Sequence, residues 1–404
     1  MRLFADFHIH SRFSRSCSKN LNLDNLETAA RTKGVSILGT GDFTHPAWIK
    51  EIKNNLTETE KNSGLFRLKK RANDTVKFTL TTEVSLIYKD QVRVRRIHLV
   101  LHAPSLVSAN ALNAELSKKF NLHSDGRPIL GMSAPDFVRL VKKIDPKFII
   151  YPAHIWTPWF SALGSKSGFD SLAECFENEI IHIHSYETGL SSDPLMNSQV
   201  TMLDDYSVIS NSDAHSLDNI GREANILEID NVTYDKIYEA LEVNDKTKLV
   251  GTIEFYPEEG MYHFDGHRTC GVCYDPVVSK ENRGICKVCG KPVVVGVASR
   301  VAELSDRQVG NKTAVPMFNK IVSLDKIIAQ TLKIKSRQSL RVQRIYLNMI
   351  EVLGPELEIL LNSELKSIEA IAGKDVARSI SRVRMGDVRL TSGYDGQYGE
   401  VRVC

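Results

Sequence analysis

Two patterns of apolar and polar positions divide the chain near residue 250. Before that point, short β-branched runs bounded by turn residues alternate with longer stretches that carry apolar residues at three- and four-residue spacing. The short runs predict buried strands and the longer stretches predict amphipathic helices. The predicted strands are residues 3–10, 35–39, 75–84, 91–102, 148–152, 180–185 and 208–212. The predicted helices are residues 22–33, 135–143, 170–177 and 235–242.

This order of elements predicts an α/β fold with a largely parallel sheet or barrel, whose functional residues lie at the carboxyl ends of the strands. From Ser323 the spacing becomes helical at residues 324–332, 338–353, 355–371 and 374–383, with Gly354 and Gly373 as stops. Between the two parts lies a short segment rich in cysteine. We therefore predict three domains, at residues 1–255, 256–300 and 301–404.

Composition changes this picture in one respect, the distribution of charge. The 404 residues are 42% hydrophobic and 25% charged, which excludes collagen, coiled coil and wholesale disorder. No stretch approaches about 18 consecutive apolar residues and no signal peptide is visible, so a cytoplasmic protein without a membrane contact is expected. The net charge is only +3, but residues 291–404 hold 18 basic and 12 acidic side chains. The C-terminal part is where a nucleic acid is expected to bind.

Histidines and carboxylates recur at the ends of the predicted strands. They are His8, His10, Asp42, His45, Glu83, His98, His154, Asp213 and His215. Residues i and i+2 of a strand face the same way, so two of these pairs present chelating side chains on one side. A single histidine such as His98 is more often a hydrogen-bonded core residue, and Glu83 alone could serve an ion pair. Their recurrence at several strand ends predicts a metal centre instead.

The number and type of these side chains indicate more than one ion. Two or three divalent metals (Zn²⁺, Mn²⁺ or Mg²⁺) are expected, and the nitrogen-rich set favours the first two. Glu83 or Asp213 is available as a bridge. Such a cluster stabilises both the attacking and the leaving oxygen of a phosphoryl displacement, so phosphoester hydrolysis is the predicted chemistry.

The motifs around these residues resemble the PHP (polymerase and histidinol phosphatase) superfamily of metal-dependent phosphoesterases over about residues 1–250. The matching motifs are His-Ile-His at the start, Gly41-Asp42, Thr-Thr-Glu83, Pro-Ala-His154 and Ser-Asp213-Ala-His215. The resemblance implies a distorted (β/α)7 barrel with a trinuclear centre. It assigns His8, His10, Glu83 and Asp213 to one metal, Glu83, His98 and His154 to a second, and Asp42 or His45 with His215 to a third. This chain has Phe43 where the superfamily commonly has histidine.

Two cysteine pairs lie beyond the predicted α/β part. Cys270 and Cys273 form one CxxC, and Cys286 and Cys289 form another after twelve intervening residues. This spacing predicts a structural zinc site with four cysteine ligands. The alternative is a redox role, which would favour a single CxxC at the start of a helix.

Residues 326–350 carry cations and no acidic residue. The cations are Lys326, Lys333, Lys335, Arg337, Arg341 and Arg344. We predict contacts between this segment and phosphates, with a solvated helix face as the alternative. Arg93 and Arg96, which precede His98, could extend the cationic path towards the metals.

Further short sequence motifs, spread over nearly the whole chain, resemble the endonuclease Q family. They include Thr-His-Pro-Ala-Trp48, Glu187-Thr-Gly-Leu-Ser-Ser-Asp-Pro and Gly-His267-Arg before the first CxxC. The resemblance implies nicking of damaged double- or single-stranded DNA 5′ to hypoxanthine, uracil, xanthine or an abasic site. It also implies replication or repair proteins as partners.

By the same resemblance, hydrolysis at the metals leaves a 3′-hydroxyl and a 5′-phosphate. Glu83, Asp213 and His215 are predicted to have catalytic roles. Trp156, Trp159 and Glu187 are candidates for a base pocket, and core packing is the alternative for the tryptophans. Two other functions stay open: a phosphatase or 3′–5′ exonuclease, and a nucleic-acid-binding scaffold with a decayed site.

Overall fold

A computed structural model describes residues 1–71, 75–91, 93–243, 245–307 and 315–403. The strands are β1 (Arg2–Asp6), β2 (Ile37–Gly39), β3 (Leu56–Glu58), β4 (Leu65–Leu68), β5 (Lys77–Lys89), β6 (Val94–Ala103), β7 (Ile129–Leu130), β8 (Ile149–Pro152), β9 (Ser185–Glu187), β10 (Ser207–Ile209), β11 (Ala224–Glu228), β12 (Leu249–Glu254), β13 (Asp265–His267), β14 (Val272–Tyr274), β15 (Met317–Lys320), β16 (Arg389–Thr391) and β17 (Glu400–Arg402).

The helices alternate with the strands before residue 250 and dominate after residue 323. They are α1 (Leu23–Lys33), α2 (Pro46–Asn55), α3 (Leu106–Ser117), α4 (Ala134–Ile144), α5 (Leu172–Phe176), α6 (Pro194–Asn197), α7 (Tyr234–Glu242), α8 (Pro276–Glu281), α9 (Val297–Leu304), α10 (Leu324–Thr331), α11 (Leu340–Leu353), α12 (Glu356–Leu361), α13 (Leu365–Ala372) and α14 (Lys374–Arg384). Among the residues that the structure describes, no helix is long and apolar enough to cross a membrane.

Helix α1 shows how local sequence sets the elements. The Asn22 side chain accepts a hydrogen bond from the Asn25 backbone N–H, which satisfies one of the free donors at the start of the helix. Gly34 ends the helix in the left-handed region, at φ 91°. Leu26 and Ala30 are buried on one face. The sequence prediction for this helix is confirmed.

The main sheet is mixed, so the prediction of a largely parallel sheet is wrong. Strand β1 pairs in parallel with β2 and antiparallel with β11. Strand β11 is antiparallel to β12, and β6 is antiparallel to both β5 and β8. The pairing of the segments 75–84 and 91–102 is confirmed as β5 with β6. A closed barrel stays a prediction.

The long strand β5 connects two parts of the sheet. Its first residues pair with β2 and β4, and its remaining residues pair with β6 and β7. Glu83 lies within this second part, opposite Val100 of β6. The strand therefore carries one carboxylate into the interior from the centre of the sheet.

Two predicted elements differ from the structure. Residues 177–182 form a short 3₁₀ helix rather than the start of a strand, and the strand β9 covers Ser185–Glu187. The predicted helix at 355–371 divides into α12 and α13. Polar residues at 362–364 separate the two helices, and Pro355 caps the start of α12.

The C-terminal part packs against the rest of the chain. Strand β15 pairs in parallel with β12, so the main sheet includes residues beyond position 301. Helices α10 to α14 contact one another, and Lys33 of α1 forms an ion pair with Glu356 of α12 at 2.6 Å. The predicted domain boundaries stay predictions, and 308–314 and Cys404 lie outside the described residues.

Candidate metal centre

Six of the predicted ligands converge at one edge of the main sheet. Strand β1 ends at Asp6, and the chain then runs through His8 and His10 beside the segment after β10, with a bridge between Ile9 and Ala214. This bridge brings the first histidine pair next to Asp213. His8, His10, Glu83 and Asp213 each offer one ligand atom within 4.8 Å of the others.

A second group shares the same glutamate. Glu83, His98 and His154 also have ligand atoms within 4.8 Å of one another. Glu83 Oε1 lies 2.7 Å from His98 Nδ1 and 3.2 Å from His154 Nε2. Its Oε2 faces the first group, 3.4 Å from His10 Nε2. The two oxygens of one buried carboxylate thus point to two separate sets of imidazoles, which is the arrangement a bridging ligand needs.

Hydrogen bonds from a surrounding layer fix the orientation of the histidine rings. Glu187 lies 3.0 Å from His8 Nδ1, and Asp42 lies 3.1 Å from His10 Nδ1. The Thr157 hydroxyl lies 2.9 Å from His154 Nδ1. Because each bond uses one ring nitrogen, the other is directed to the cluster, as in known metal sites.

Three of these residues have a strained backbone. Asp42, His154 and Asp213 have φ values of 49°, 29° and 44°, in the left-handed region that disfavours residues other than glycine. Such conformations cost on the order of 1–3 kcal/mol each and concentrate at functional sites. The surrounding hydrogen bonds, including the one from the His154 N–H to Glu187, hold the strained turns in place.

The electrostatics of the cluster fit a cation. Burial opposes protonation of His8, but the carboxylates of Glu187, Glu83 and Asp213 outweigh it and raise the His8 pKa well above its ordinary value. Burial alone would raise the Glu83 pKa, but His98, Arg127 and His8 hold it well below its usual range. His8 Nε2 is buried without a hydrogen-bond partner in the described structure. The carboxylates of the cluster therefore favour a bound positive charge, and the unpaired Nε2 of His8 faces them.

Two of the residues predicted for a third metal, Asp42 and His45, are outside both ligand groups. Asp42 accepts hydrogen bonds from the backbone and hydroxyl of Ser11 and from Ser14, so its oxygens are engaged behind His10. The His45 ring stacks on Phe13, 4.4 Å between centroids, and is outside both ligand groups. Asp42 contacts the cluster through the His10 ring, and the direct ligand role of Asp42 and His45 stays a prediction.

His215 lies at the rim of the cluster. Its ring centroid is 4.5 Å from that of His10, and its Nδ1 lies 2.8 Å from the backbone oxygen of Asp213. Arg127, which the sequence analysis did not select, forms an ion pair with Glu83 Oε2 at 2.9 Å. No motif marks Arg127, because only the folded loop brings it to the cluster.

A cavity of about 380 Å³ opens beside the cluster. Its walls include His154, Asp213, His215, Glu187 and Tyr262. The size lies in the range of small-molecule pockets. Of the predicted base-pocket residues, Glu187 lines this cavity, although it also supports His8.

The two tryptophans of the predicted base pocket occupy different positions. Trp156 is 1% exposed and its indole N–H donates to Asn197, so the base-pocket prediction for it is wrong: it is a core residue. Trp159 is half-buried and meets Tyr262 edge-on, with ring centroids 5.8 Å apart. Trp159 therefore supports a residue of the cavity wall.

In the cysteine module, three of the four predicted cysteines group with a histidine, and the zinc-ligand roles stay a prediction. Cys270, Cys286 and Cys289 group with His267, and their ligand atoms lie within 4.8 Å of one another. Cys273 is outside this group. In the β13–β14 hairpin, Val272 and Tyr274 point inward, so Cys273 between them points to solvent. The sequence signal for His267 was its position three residues before Cys270.

The group fits a thiophilic ion. The Cys289 Sγ lies 3.5 Å from His267 Nδ1. Burial opposes ionisation of Cys286, but the backbone N–H groups of Cys289 and Val288 stabilise the thiolate and lower the Cys286 pKa to about 6. Three sulfurs and one imidazole nitrogen match tetrahedral zinc.

Most of the predicted phosphate-binding cations are exposed. They are Lys333, Lys335, Arg341, Arg344, Arg93 and Arg96. Arg337 lies 3.7 Å from Asp325 and 3.8 Å from Asp218. Lys326 forms an ion pair with Glu259 at 2.6 Å. These last two cations are partly neutralised within the protein.

The chain matches known proteins over its full length. Residues 323–387 match the family model "MJ0043 C-terminal domain". An uncharacterized protein of Bacillus subtilis strain 168, YqxK, is 28% identical over 99% of both chains. A lesion-specific endonuclease from Pyrococcus furiosus is 28% identical, with a TM-score of 0.86 over 100% of this chain and 95% of that one.

A second solved structure is an endonuclease Q complex with a 27-mer duplex that carries an abasic lesion at its active site; it covers 100% of this chain and 97% of its own, with 28% identity and a TM-score of 0.87. The mixed α/β fold and the buried ligand groups, together with these matches, define a phosphoesterase of the nuclease class. These two matches over the whole chain support an endonuclease Q family assignment.

Proposed function

We propose that the protein is a DNA repair endonuclease that hydrolyses the phosphodiester 5′ to a deaminated base (hypoxanthine, uracil or xanthine) or an abasic site. The observation that carries this proposal is the Glu83 carboxylate, shared between two groups of imidazoles beside an open cavity. The full-length similarity to a lesion-specific endonuclease, and to one solved with an abasic duplex, supports the choice of substrate.

Two ligand groups would hold divalent ions (Zn²⁺, Mn²⁺ or Mg²⁺). His8, His10, Glu83 and Asp213 would form one site, and Glu83, His98 and His154 the second. When bound, the ions would supply Lewis-acid stabilisation of the phosphate and acidify the attacking water. A free buried nitrogen on His8 and the excess of carboxylates support this assignment.

The protein's own side chains orient the ligands and handle a proton. Glu187 and Asp42 hold the His8 and His10 rings with one nitrogen towards the cluster. The His215 Nδ1–H donates to the Asp213 carbonyl oxygen, so Nε2 of the neutral ring is an acceptor that can take a proton from the attacking water. Its position at the rim, with a side chain 31% exposed, allows contact with substrate.

The cavity beside the cluster would receive the lesion. Extruding a nucleotide from a duplex costs about a few kcal/mol, and less when the pair is weak, so damaged bases enter more readily. Polar groups around Ser191 line the cavity and would contact the carbonyl and N–H edge that deamination creates. The nicked product would carry a 3′-hydroxyl and a 5′-phosphate.

The remaining parts of the chain would bind the duplex. A second cavity of about 580 Å³ shares Asn219 and Arg222 with the first and reaches Lys335 and Arg337 of the C-terminal part. This continuity supports a DNA path from the cluster to the exposed cations of residues 333–344. We accordingly assign catalysis to residues 1–255, a zinc site to 256–300 and DNA contacts to 301–404.

A closed circular duplex with one deoxyinosine tests the proposal. In Mn²⁺ or Mg²⁺ the protein is expected to convert this circle to the nicked form and leave an undamaged circle intact. End-labelled linear duplexes with inosine, uracil, an abasic analogue or no lesion locate the cut. Trimming from the ends of every linear duplex, with both circles intact, would replace the proposal with an exonuclease.

A further inference from the structure

A hairpin near the C-terminus extends back to the cavity beside the metal-ligand cluster. Strands β16 and β17 form an antiparallel pair, and the connection between them includes the sequence Gly-Tyr-Asp-Gly-Gln-Tyr-Gly. This turn-rich segment has no role in the chemistry described so far. Its residue Tyr398 lines the cavity together with His154, Asp213 and His215.

Backbone contacts fix the position of this connection. Gly393 N–H donates to Glu258, Gly396 N–H donates to Met261, and Gly399 N–H donates to Glu259. A Cβ atom on Gly399 would lie 2.0 Å from the Glu258 carbonyl oxygen, so only glycine allows the two segments to approach this closely. The residue before Gly399 is therefore held at a defined place.

The side chain at that place is a large aromatic ring that the protein does not bury. Tyr398 is 66% exposed, whereas Tyr262 on the same cavity is half-buried and meets Trp159 edge-on. An exposed ring on a fixed backbone, at the mouth of a cavity that adjoins the cluster, is positioned to contact what enters. Aromatic rings bind nucleobases of any sequence by stacking.

We propose that Tyr398 stacks on the base pair next to the extruded nucleotide and so stabilises the open duplex. This inference rests on the proposed function. When the lesion leaves the stack, its neighbour loses a stacking partner, and the tyrosine ring replaces it. A single strand has no pair to open, so the contribution of Tyr398 is larger on a duplex than on a single strand. The residue positions the substrate and takes no part in bond cleavage.

The test compares the same deoxyinosine strand alone and annealed opposite deoxycytidine. Single-turnover nicking rates are measured for the wild type, Tyr398→Ala and Tyr398→Phe. Loss of the ring is expected to lower the ratio of the duplex rate to the single-strand rate by about tenfold, since stacking on one base is typically of this order or larger. Tyr398→Phe keeps the ring, so its ratio is expected within about twofold of wild type.

A control in the same hairpin separates stacking from damage to the fold. Leu390 of β16 is 42% exposed and faces a different cavity, so Leu390→Ala should nick both substrates at the wild-type rates. An unchanged ratio in Tyr398→Ala, or equal slowing on both substrates, would overturn the inference while leaving the proposed function intact. A wild-type protein that nicks neither substrate overturns both.

Discussion

The histidine–carboxylate cluster and the cysteine–histidine group differ in how their side chains are assembled and in what they leave open. The cluster collects residues from position 8 to position 213, supports them with buried hydrogen bonds, and adjoins a cavity. The cysteine–histidine group comes from residues 267–289 and offers four ligand atoms within 4.8 Å of one another, the number that a structural zinc site uses. Reactive metal sites keep an open position and structural ones do not. By this comparison, the cluster is suited to catalysis and the cysteine–histidine group is suited to stabilising the fold.

The largest expected effect follows from the shared carboxylate. Glu83→Gln keeps the shape of the side chain but removes the charge that faces both imidazole groups. We expect nicking of a deoxyinosine duplex to fall by roughly 10²–10³-fold or more, the scale of losing one electrostatic element of a reactive site. Single-turnover kinetics measure this loss. Glu254→Gln changes a buried carboxylate that is outside both ligand groups, so it is the matched control and should retain the wild-type rate.

The cysteine module gives the next effect, on metal content and folding. Cys286→Ser and His267→Ala each remove one ligand and are expected to weaken zinc binding by more than about 100-fold, beyond what loss of a supporting residue causes. The thermal midpoint should fall as well, because a structural zinc contributes directly to folding. Cys273→Ser is the matched control. Loss of zinc from Cys273→Ser with retention in His267→Ala would restore the four-cysteine arrangement that the sequence indicated.

A smaller effect is expected for Asp42, because it acts by holding the ring of His10. Asp42→Asn leaves the ligands in place but weakens the hold on the His10 ring. Supporting residues of this kind typically contribute about 10–100-fold to metal affinity or activity. Titration of the metal-free protein with Mn²⁺ measures the affinity. A change as large as that of Glu83→Gln would return Asp42 to the ligands themselves.

The features of the cluster differ in how far the amino-acid sequence predicts them. The spacing of His8, His10 and Asp213 could be recognised because strand periodicity is local. The pairing direction of the strands could not, since a buried apolar run is compatible with parallel and antiparallel neighbours. The support of His10 by Asp42 depends on where two distant loops meet.

The cysteine module shows the same limit on a smaller scale. Two CxxC motifs favour four thiolates, but the alternation of side chains in β14 turns Cys273 outward. His267 lies across the hairpin from Val272 and beside Cys270. The register of the hairpin decides whether Cys273 or His267 joins the group. The spacing of the CxxC motifs does not predict that register.

Glu254 is outside both regions and has no predicted ligand role, so it shows how burial affects the pKa of a carboxyl group. Burial raises the Glu254 pKa from 4.5 to about 8, although Ser210 and Thr252 donate to it. The folded protein therefore keeps a proton that the unfolded chain releases, and the free energy of unfolding falls as pH rises from about 4.5 to 8. Glu254→Gln removes this penalty. We expect the variant to be more stable than wild type by about 1–3 kcal/mol near pH 8, with no gain near pH 4.

Urea unfolding at the two pH values measures this difference. Equal stability of variant and wild type at both pH values would show that the carboxyl is ionised in the folded protein. Glu223 is the second group to substitute, because burial and the charge of Glu254 raise the pKa of its carboxyl.

The smallest effect concerns the exposed cations. Lys335→Ala removes one positive charge from the C-terminal part and should weaken binding to any duplex by a few-fold, independent of the lesion. The slope of log affinity against log salt should decrease by about 0.9 for each lost phosphate contact. Fluorescence anisotropy at several salt concentrations measures it. An unchanged slope in Lys335→Ala and in Arg341→Ala would exclude this surface from the DNA path.

The central claim, that the shared-carboxylate cluster binds the ions that cut lesion DNA, has one direct test. Chelator-treated protein is titrated with Mn²⁺ while nicking of a closed circular duplex with one deoxyinosine and binding of Mn²⁺ are followed together. The wild type is expected to regain nicking as it binds ions, and Glu83→Gln to lose both. Nicking by Glu83→Gln at the wild-type rate, or nicking of the undamaged circle at that same rate, would contradict the account.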